Sequence, residues 1–233
     1  MQLLDLIKDK YNESILNRLV ILNCAVYIVT LLIDAVLSFS DGGLSAAVIT
    51  QFQWDLGNLP FRPWTLLTAP FTSFGLWHFL FNMVTLYWLG GLFLTRGTSN
   101  ALRGLYILGA MAAMAAIILV SLIPGIHEKD WPDSIPLASS AVLAIGSALA
   151  FQLPDKTESL PVIGQVKIKW LILALGIVDI SMLPRVTPVN DIAHLAAAAL
   201  GWLFQRLIWK GKDITKPVTD AFIFLDTWLK KIK

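Results

Sequence analysis

The stretch Ser134–Phe151, SIPLASSAVLAIGSALAF, decides how this chain is read. It is mostly apolar and long enough to enter a bilayer. Yet two adjacent serines, Ser139 and Ser140, stand near its start. They are either packing residues of a membrane helix or a nucleophile held at membrane depth.

Composition favours the membrane setting. The chain has 233 residues, of which 56% are hydrophobic and 15% charged. A soluble domain carries about 25% charge, and its core has no place for this much apolar surface. The length suits one domain. The single cysteine, Cys24, cannot form an internal disulfide. A net charge of +2, scattered along the chain, argues against nucleic-acid binding. The first 18 residues are amphipathic and charged, unlike a cleavable signal peptide.

A spanning helix needs about 20 mostly apolar residues. Six segments qualify: Leu19 to Phe39, Trp77 to Leu94, Ala101 to Ile123, Leu137 to Leu153, Val166 to Leu183 and Ile192 to Trp209. The fourth and fifth are short. Lys167 and Lys169 can snorkel at the start of the fifth. With the N-terminus inside, the inner segments hold 15 of the 18 Lys and Arg residues; only Arg62, Lys129 and Arg185 fall outside. Positive charge gathers on the cytoplasmic side, so an all-α membrane protein with six transmembrane helices and both termini cytoplasmic is expected. The expected division is a cytoplasmic amphipathic segment (1–18), a membrane domain (19–210) and a basic amphipathic tail (211–233).

Two further segments are not ordinary loops. Gln51 to Phe74 is rich in aromatics and broken by Pro60, Pro63 and Pro70. Aromatics favour the interface, so an outer loop over 51–76 is expected to lie half-buried in the outer leaflet. Ala221 to Ile232 pairs apolar residues with lysines and suits either a helix on the inner membrane surface, with the lipid bilayer as its partner, or a floppy basic tail.

The polar residues of the even-numbered spans share one depth. The second carries His78 and Asn82, the fourth Ser139 and Ser140, the sixth His194. All three helices enter from outside. At ~1.5 Å per residue these groups lie within roughly 10 Å of their helix starts. Intramembrane histidine marks a functional site by default. A lone membrane serine is more often a packing residue that bonds back to its own helix. Serine and histidine at one depth form a stronger pattern, because His can take the Ser proton. His78 and Asn82, four residues apart, share a helix face and offer donors for an oxyanion. Small residues on the sixth helix (Ala193, Ala197, Gly201) and the fourth (Ala138, Ala141, Ala144, Gly146) permit close helix approach.

These residues together resemble the rhomboid family of intramembrane serine proteases. RPWTLLTAPF (Arg62 to Phe71) is similar to the family's first outer loop, HFLFNMVTLYWLGG (His78 to Gly91) to its HxxxN helix, ASSAVLAI to its nucleophile helix and AHLAAAALG to its base helix. The resemblance implies a six-helix rhomboid-like bundle. It implies Ser139 as nucleophile and His194 as general base, a dyad without a carboxylate. It implies His78, Asn82 and the Ser139 backbone N–H as oxyanion donors. Arg62 and Trp64 would anchor the outer loop, and Ala197 and Gly201 would form the close helix contact. No metal or other cofactor is implied.

Two features depart from the family pattern. GxSG reads Leu137-Ala138-Ser139-Ser140, with leucine where backbone is expected to approach closely. The alternative register, Ala138-Ser139-Ser140-Ala141, makes Ser140 the nucleophile. Ser139 is preferred because SAVLAI then aligns with the family helix. Ser73 stands where many relatives carry a further histidine.

The implied activity is endoproteolysis of single-pass or multi-pass membrane-protein substrates near the outer interface, with water admitted under a cap at Pro184 to Asn190. Two other readings stay open: a rhomboid-like pseudoprotease that binds membrane helices without cutting them, and a small transporter using the histidines as a polar path. Asp191 reads as an interfacial cap. Asp34 and Asp179 read as snorkelling or structural residues near outer helix ends. A compact six-span form suits a bacterial inner membrane.

Overall fold

The fourth apolar segment is the axis of the fold. In the computed structural model, Ala138–Gln152 is a helix whose residues are buried on every side, from Ala138 through Leu149 with Leu143 alone partly exposed. A helix that is apolar all round belongs in a core. At ~1.5 Å per residue it is about 22 Å long, short of a bilayer core of about 30 Å. The structure describes residues 10, 13–37, 51–52, 61–73, 75–123, 137–160, 164–181 and 188–232. Residues 1–9, 11 and 12 of the expected N-terminal segment, 53–60 and 74 of the expected outer loop, His127 and residues 184–187 of the expected cap lie outside the described residues.

The elements in chain order are α1 (Ile15–Leu37), the short α2 (Thr65–Thr68) running into a 3₁₀ turn (Ala69–Phe71), α3 (Leu76–Phe93), α4 (Ser99–Ser121), α5 (Ala138–Gln152), β1 (Thr157–Leu160), β2 (Gly164–Lys167), α6 (Ile168–Ser181), α7 (Pro188–Ile208) and α8 (Lys216–Ile232). The chain is mostly helical. Among the described residues α1, α3 and α4 are long and apolar enough to cross a membrane, and α5 is a shorter apolar helix. On α1 the apolar side chains Ile28, Val29, Leu32 and Val36 face outward. Exposed apolar residues in such number suit contact with lipid rather than water.

Local signals set the helix ends. Ser14 Oγ accepts from the Asn17 N–H at 3.1 Å ahead of α1, and Thr98 does the same for Ala101 ahead of α4. Pro188 opens α7, with Asp191 in its first turn and Arg206 in its last, each placed to complement the helix dipole. For the six expected spans, helix ends fall within four residues of the sequence expectation: α1 and α7 begin four residues early, at Ile15 and Pro188, and α6 begins at Ile168 rather than Val166.

The difference at α6 has a cause. Thr157–Leu160 and Gly164–Lys167 pair antiparallel, with Thr157 opposite Lys167 and Leu160 opposite Gly164. Gly164, at φ +84°, supplies a backbone conformation other residues rarely adopt. Val166 therefore ends a hairpin instead of starting a span. The Ile168 N–H donates to the Lys156 carbonyl at 2.9 Å, closing the hairpin across the base of α5 and α6.

α5 packs most extensively against α7 and also touches α3, α4 and α6. Glycine makes this closeness possible. A Cβ on Gly201 of α7 would strike the Ala144 carbonyl oxygen and stand 2.9 Å from the Ala148 nitrogen. On the other flank, a Cβ on Gly109 of α4 would stand 3.3 Å from the Ala141 Cα. Ser147 Oγ donates to the Ala198 carbonyl at 2.7 Å across the α5–α7 seam. α5 is thus clamped between two helices at near-backbone distance.

The segment around α2, expected from the sequence to be an outer one, is tied down by polar contacts. Trp64 Nε1 donates to the Gln51 carbonyl at 2.7 Å, and Thr68 Oγ1 to the Phe52 carbonyl at 2.7 Å. Arg62 accepts at its carbonyl from Thr65 N–H and Oγ1. The fully buried Tyr106 hydroxyl lies 2.6 Å from the Pro70 carbonyl and 3.0 Å from Asn23 Oδ1. It links this segment to α1 and α4. At the other end, α8 docks on α4: Thr215 packs against Gly104, and the Arg103 guanidinium lies 4.8 Å from the Phe222 ring centre.

Candidate active site

Ser139 is the second residue of α5. The first N–H groups of a helix have no carbonyl within it to bond, so Ser139 sits where free donors and the positive end of the dipole gather. Its Oγ is buried and lies 3.1 Å from His194 Nε2 on α7. The close α5–α7 packing described above brings the two together. Ser140 turns away: its Oγ is buried and makes no hydrogen bond.

Leu137 does not hold the helices apart. Its backbone, at φ −113° and ψ 6°, is open to any residue and has no need of glycine. Its side chain is fully buried in the core. The Leu137 N–H reaches the Ala69 carbonyl at 3.2 Å and the Ala138 N–H the Thr72 carbonyl at 3.4 Å. The outer segment is therefore bonded to the start of α5 through backbone, and the leucine packs inward.

His194 is 4% exposed, so its partners are defined by the protein. Nδ1 lies 2.7 Å from the Asn190 carbonyl oxygen, one turn earlier on α7. A carbonyl only accepts, so Nδ1 carries a hydrogen. In the neutral ring Nε2 is then a lone pair, facing Ser139 Oγ. That is the tautomer a general base requires.

A second contact on Nε2 was not legible in the sequence. Asp179 of α6 places Oδ2 2.9 Å from His194 Nε2 and Oδ1 3.3 Å from His78 Nε2. The residue is 6% exposed, and Oδ1 makes no hydrogen bond of good geometry despite the short distance to His78. An ionised carboxylate cannot face a lone pair at 2.9 Å. A proton must lie between Oδ2 and Nε2 whenever that contact exists. Asp179 and Ser139 thus compete for one ring nitrogen. Read from sequence, Asp179 is an interfacial or structural acid; the structure buries it among the histidines.

His78 and Asn82 of α3 are both buried. Asn82 Nδ2 lies 3.4 Å from His78 Nδ1 and 3.3 Å from Nε2. Being nearly equidistant, the amide lies alongside the ring rather than along one lone pair. A pocket of about 20 Å³ opens beside Ser139, lined by Asn82, Thr85, Leu175, Gly176 and Asp179 among others. That is room for about one water and not for a peptide.

The remaining sequence candidates fall into supporting places. Ala197 is fully buried, and Gly201 makes the close contact with α5. Arg62 and Trp64 belong to the outer segment, Trp64 with 47% of its surface exposed. Asp191 lies in the first turn of α7 and is partly exposed. Ser73 lines a separate cavity of about 150 Å³ with Tyr27, Thr30 and Asp34, between α1 and the outer segment. Among the described residues no cluster of His, Cys, Asp and Glu could hold a metal ion.

These observations define a helical membrane bundle with a buried serine–histidine pair facing a second histidine and an amide. The rhomboid domain family model matches residues 60–211, about two thirds of the chain. The chain belongs to the rhomboid family. Neither the curated proteins nor the solved structures returned a match.

Proposed function

We propose that this chain is an intramembrane serine endopeptidase that cleaves membrane-anchored substrate helices near the outer interface. The observation that carries the reading is the 3.1 Å contact between Ser139 Oγ and His194 Nε2, with Nδ1 bonded to Asn190. In this reading α1, α3, α4, α5, α6 and α7 each cross the membrane and both ends face the cytoplasm. The distribution of Lys and Arg supports that topology. The amphipathic α8 lies along the inner surface.

The chemistry follows from the contacts. His194 Nε2 takes the Ser139 proton as Oγ attacks the substrate carbonyl carbon. The carbonyl oxygen becomes an oxyanion, held by His78, Asn82 and the Ser139 N–H. His194 then gives the proton to the departing amine, which leaves as the peptide bond breaks. Water, with His194 again as base, releases the acyl group as a carboxylate and restores Ser139. The pocket beside Ser139 has room for that water.

Co-reconstitution with a single-pass membrane substrate tests the reading. Two new fragments are expected with the wild type and none with Ser139→Ala. Intact substrate under both conditions contradicts it.

One observation favours a second reading, a pseudoprotease that binds membrane helices without cutting them. Asp179 occupies the nitrogen that must accept the serine proton. A carboxylate that never leaves that nitrogen would keep the pair inert.

A further inference from the structure

We infer that Asp179 occupies the oxyanion position of the resting site and must be displaced before a substrate carbonyl can enter. The inference rests on the protease reading above and adds a resting state to it.

The geometry carries the argument. A tetrahedral intermediate at Ser139 needs two things at once: a donor for its oxyanion, and His194 Nε2 for the proton. Asp179 touches both. Oδ1 lies 3.3 Å from His78 Nε2, and Oδ2 lies 2.9 Å from His194 Nε2. A carboxylate is itself an oxyanion, with the same preference for N–H donors as the intermediate it stands in for.

Asp179 is not the carboxylate of a serine–histidine–aspartate triad. Such a carboxylate bonds Nδ1, holds the ring and leaves Nε2 to the serine. Here Nδ1 belongs to the Asn190 carbonyl. Asp179 therefore does not orient the base; it competes for the working nitrogen. The charged or titratable groups that face it are His78 on α3 and His194 on α7. Ser139 on α5 lines the same pocket, and Asp191 lies one turn before His194.

Asp179 also forms part of the wall of the small pocket beside Ser139, together with Asn82. The carboxylate therefore lies next to the nucleophile as well as between the two histidines. Of the two carboxylate contacts, the one to His78 is the longer and makes no well-aligned hydrogen bond, so Oδ1 is the less firmly held oxygen.

The test reads the histidines and the serine separately, on the full chain in detergent. Diethyl pyrocarbonate modifies accessible neutral imidazoles, and mass spectrometry reports His78 and His194 relative to His127. A fluorophosphonate reports Ser139. If the carboxylate leaves only about a fifth of molecules open, Asp179→Ala raises modification of both histidines and serine labelling by about fivefold. Asp179→Asn keeps the shape without the charge and gives a smaller rise; it carries the test if the alanine variant does not fold. Increased histidine modification with no serine labelling in any variant upholds the covering by Asp179 and overturns the protease reading. Unchanged histidine modification overturns the inference. So does serine labelling that falls in a folded Asp179→Ala protein.

Discussion

Gly201 of α7 sits against the Ala144 carbonyl of α5 with no room for a side chain between them. This contact permits the close approach of the helices that carry Ser139 and His194. The obstructing atoms are the Ala144 carbonyl oxygen, the Ala148 nitrogen and the Ser147 Cβ, none of which can yield by a rotamer change. Gly201→Ala is expected to destabilise the fold by about 1–3 kcal/mol, the usual cost of overpacking, and to widen the Ser139–His194 gap. Unfolding in mixed micelles measures the first effect and fluorophosphonate labelling the second. A fully stable, fully labelled Gly201→Ala protein would remove the clamp from the account.

The two serines separate by their partners. Ser140 Oγ is buried without a hydrogen bond, so its removal sacrifices little and frees an unsatisfied group. Ser140→Ala is expected to retain stability within about 1 kcal/mol and to retain proteolysis. Proteolysis abolished in Ser140→Ala but kept in Ser139→Ala would transfer the nucleophile to the other register.

Oxyanion support predicts a particular kinetic pattern. Asn82→Ala is expected to lower kcat by about 10²–10³-fold, the range for loss of one oxyanion donor, with a much smaller change in KM. Steady-state cleavage of a fluorogenic membrane substrate checks this. A KM effect with kcat intact would place Asn82 in substrate binding instead.

The Tyr106 hydroxyl joins α4 to the outer segment through Pro70. Tyr106→Phe leaves that carbonyl and Asn23 without their shared partner, at an expected cost of about 1–3 kcal/mol. Because the outer segment also bonds the start of α5, at Leu137 and Ala138, some loss of activity is expected with the loss of stability. Unaltered unfolding would show that the outer segment is held by its other contacts.

Much of this arrangement is legible in the sequence, for physical reasons. Apolar length marks α1, α3 and α4, and small residues mark the α5–α7 seam. His78, Asn82, Ser139 and His194 stand out because polar groups at one depth in apolar helices are costly. Other features carry no such local mark. Leu137 looks like an obstacle in a one-dimensional motif, yet its negative φ and inward side chain remove the conflict. The hairpin of β1 and β2 hides at the edge of an apolar run, betrayed only by Gly164 and the alternating residues around it. Asp179 is the largest omission. An acid near a helix end reads as snorkelling, and only the packing of α6 against α5 and α3 brings it to the histidines.

The central claim is that Ser139 is activated by His194. Mass spectrometric mapping of the fluorophosphonate adduct tests it most directly. The account predicts an adduct on Ser139 in the wild type and none in His194→Ala. An adduct on Ser140, or one on Ser139 that forms equally well without His194, would contradict it.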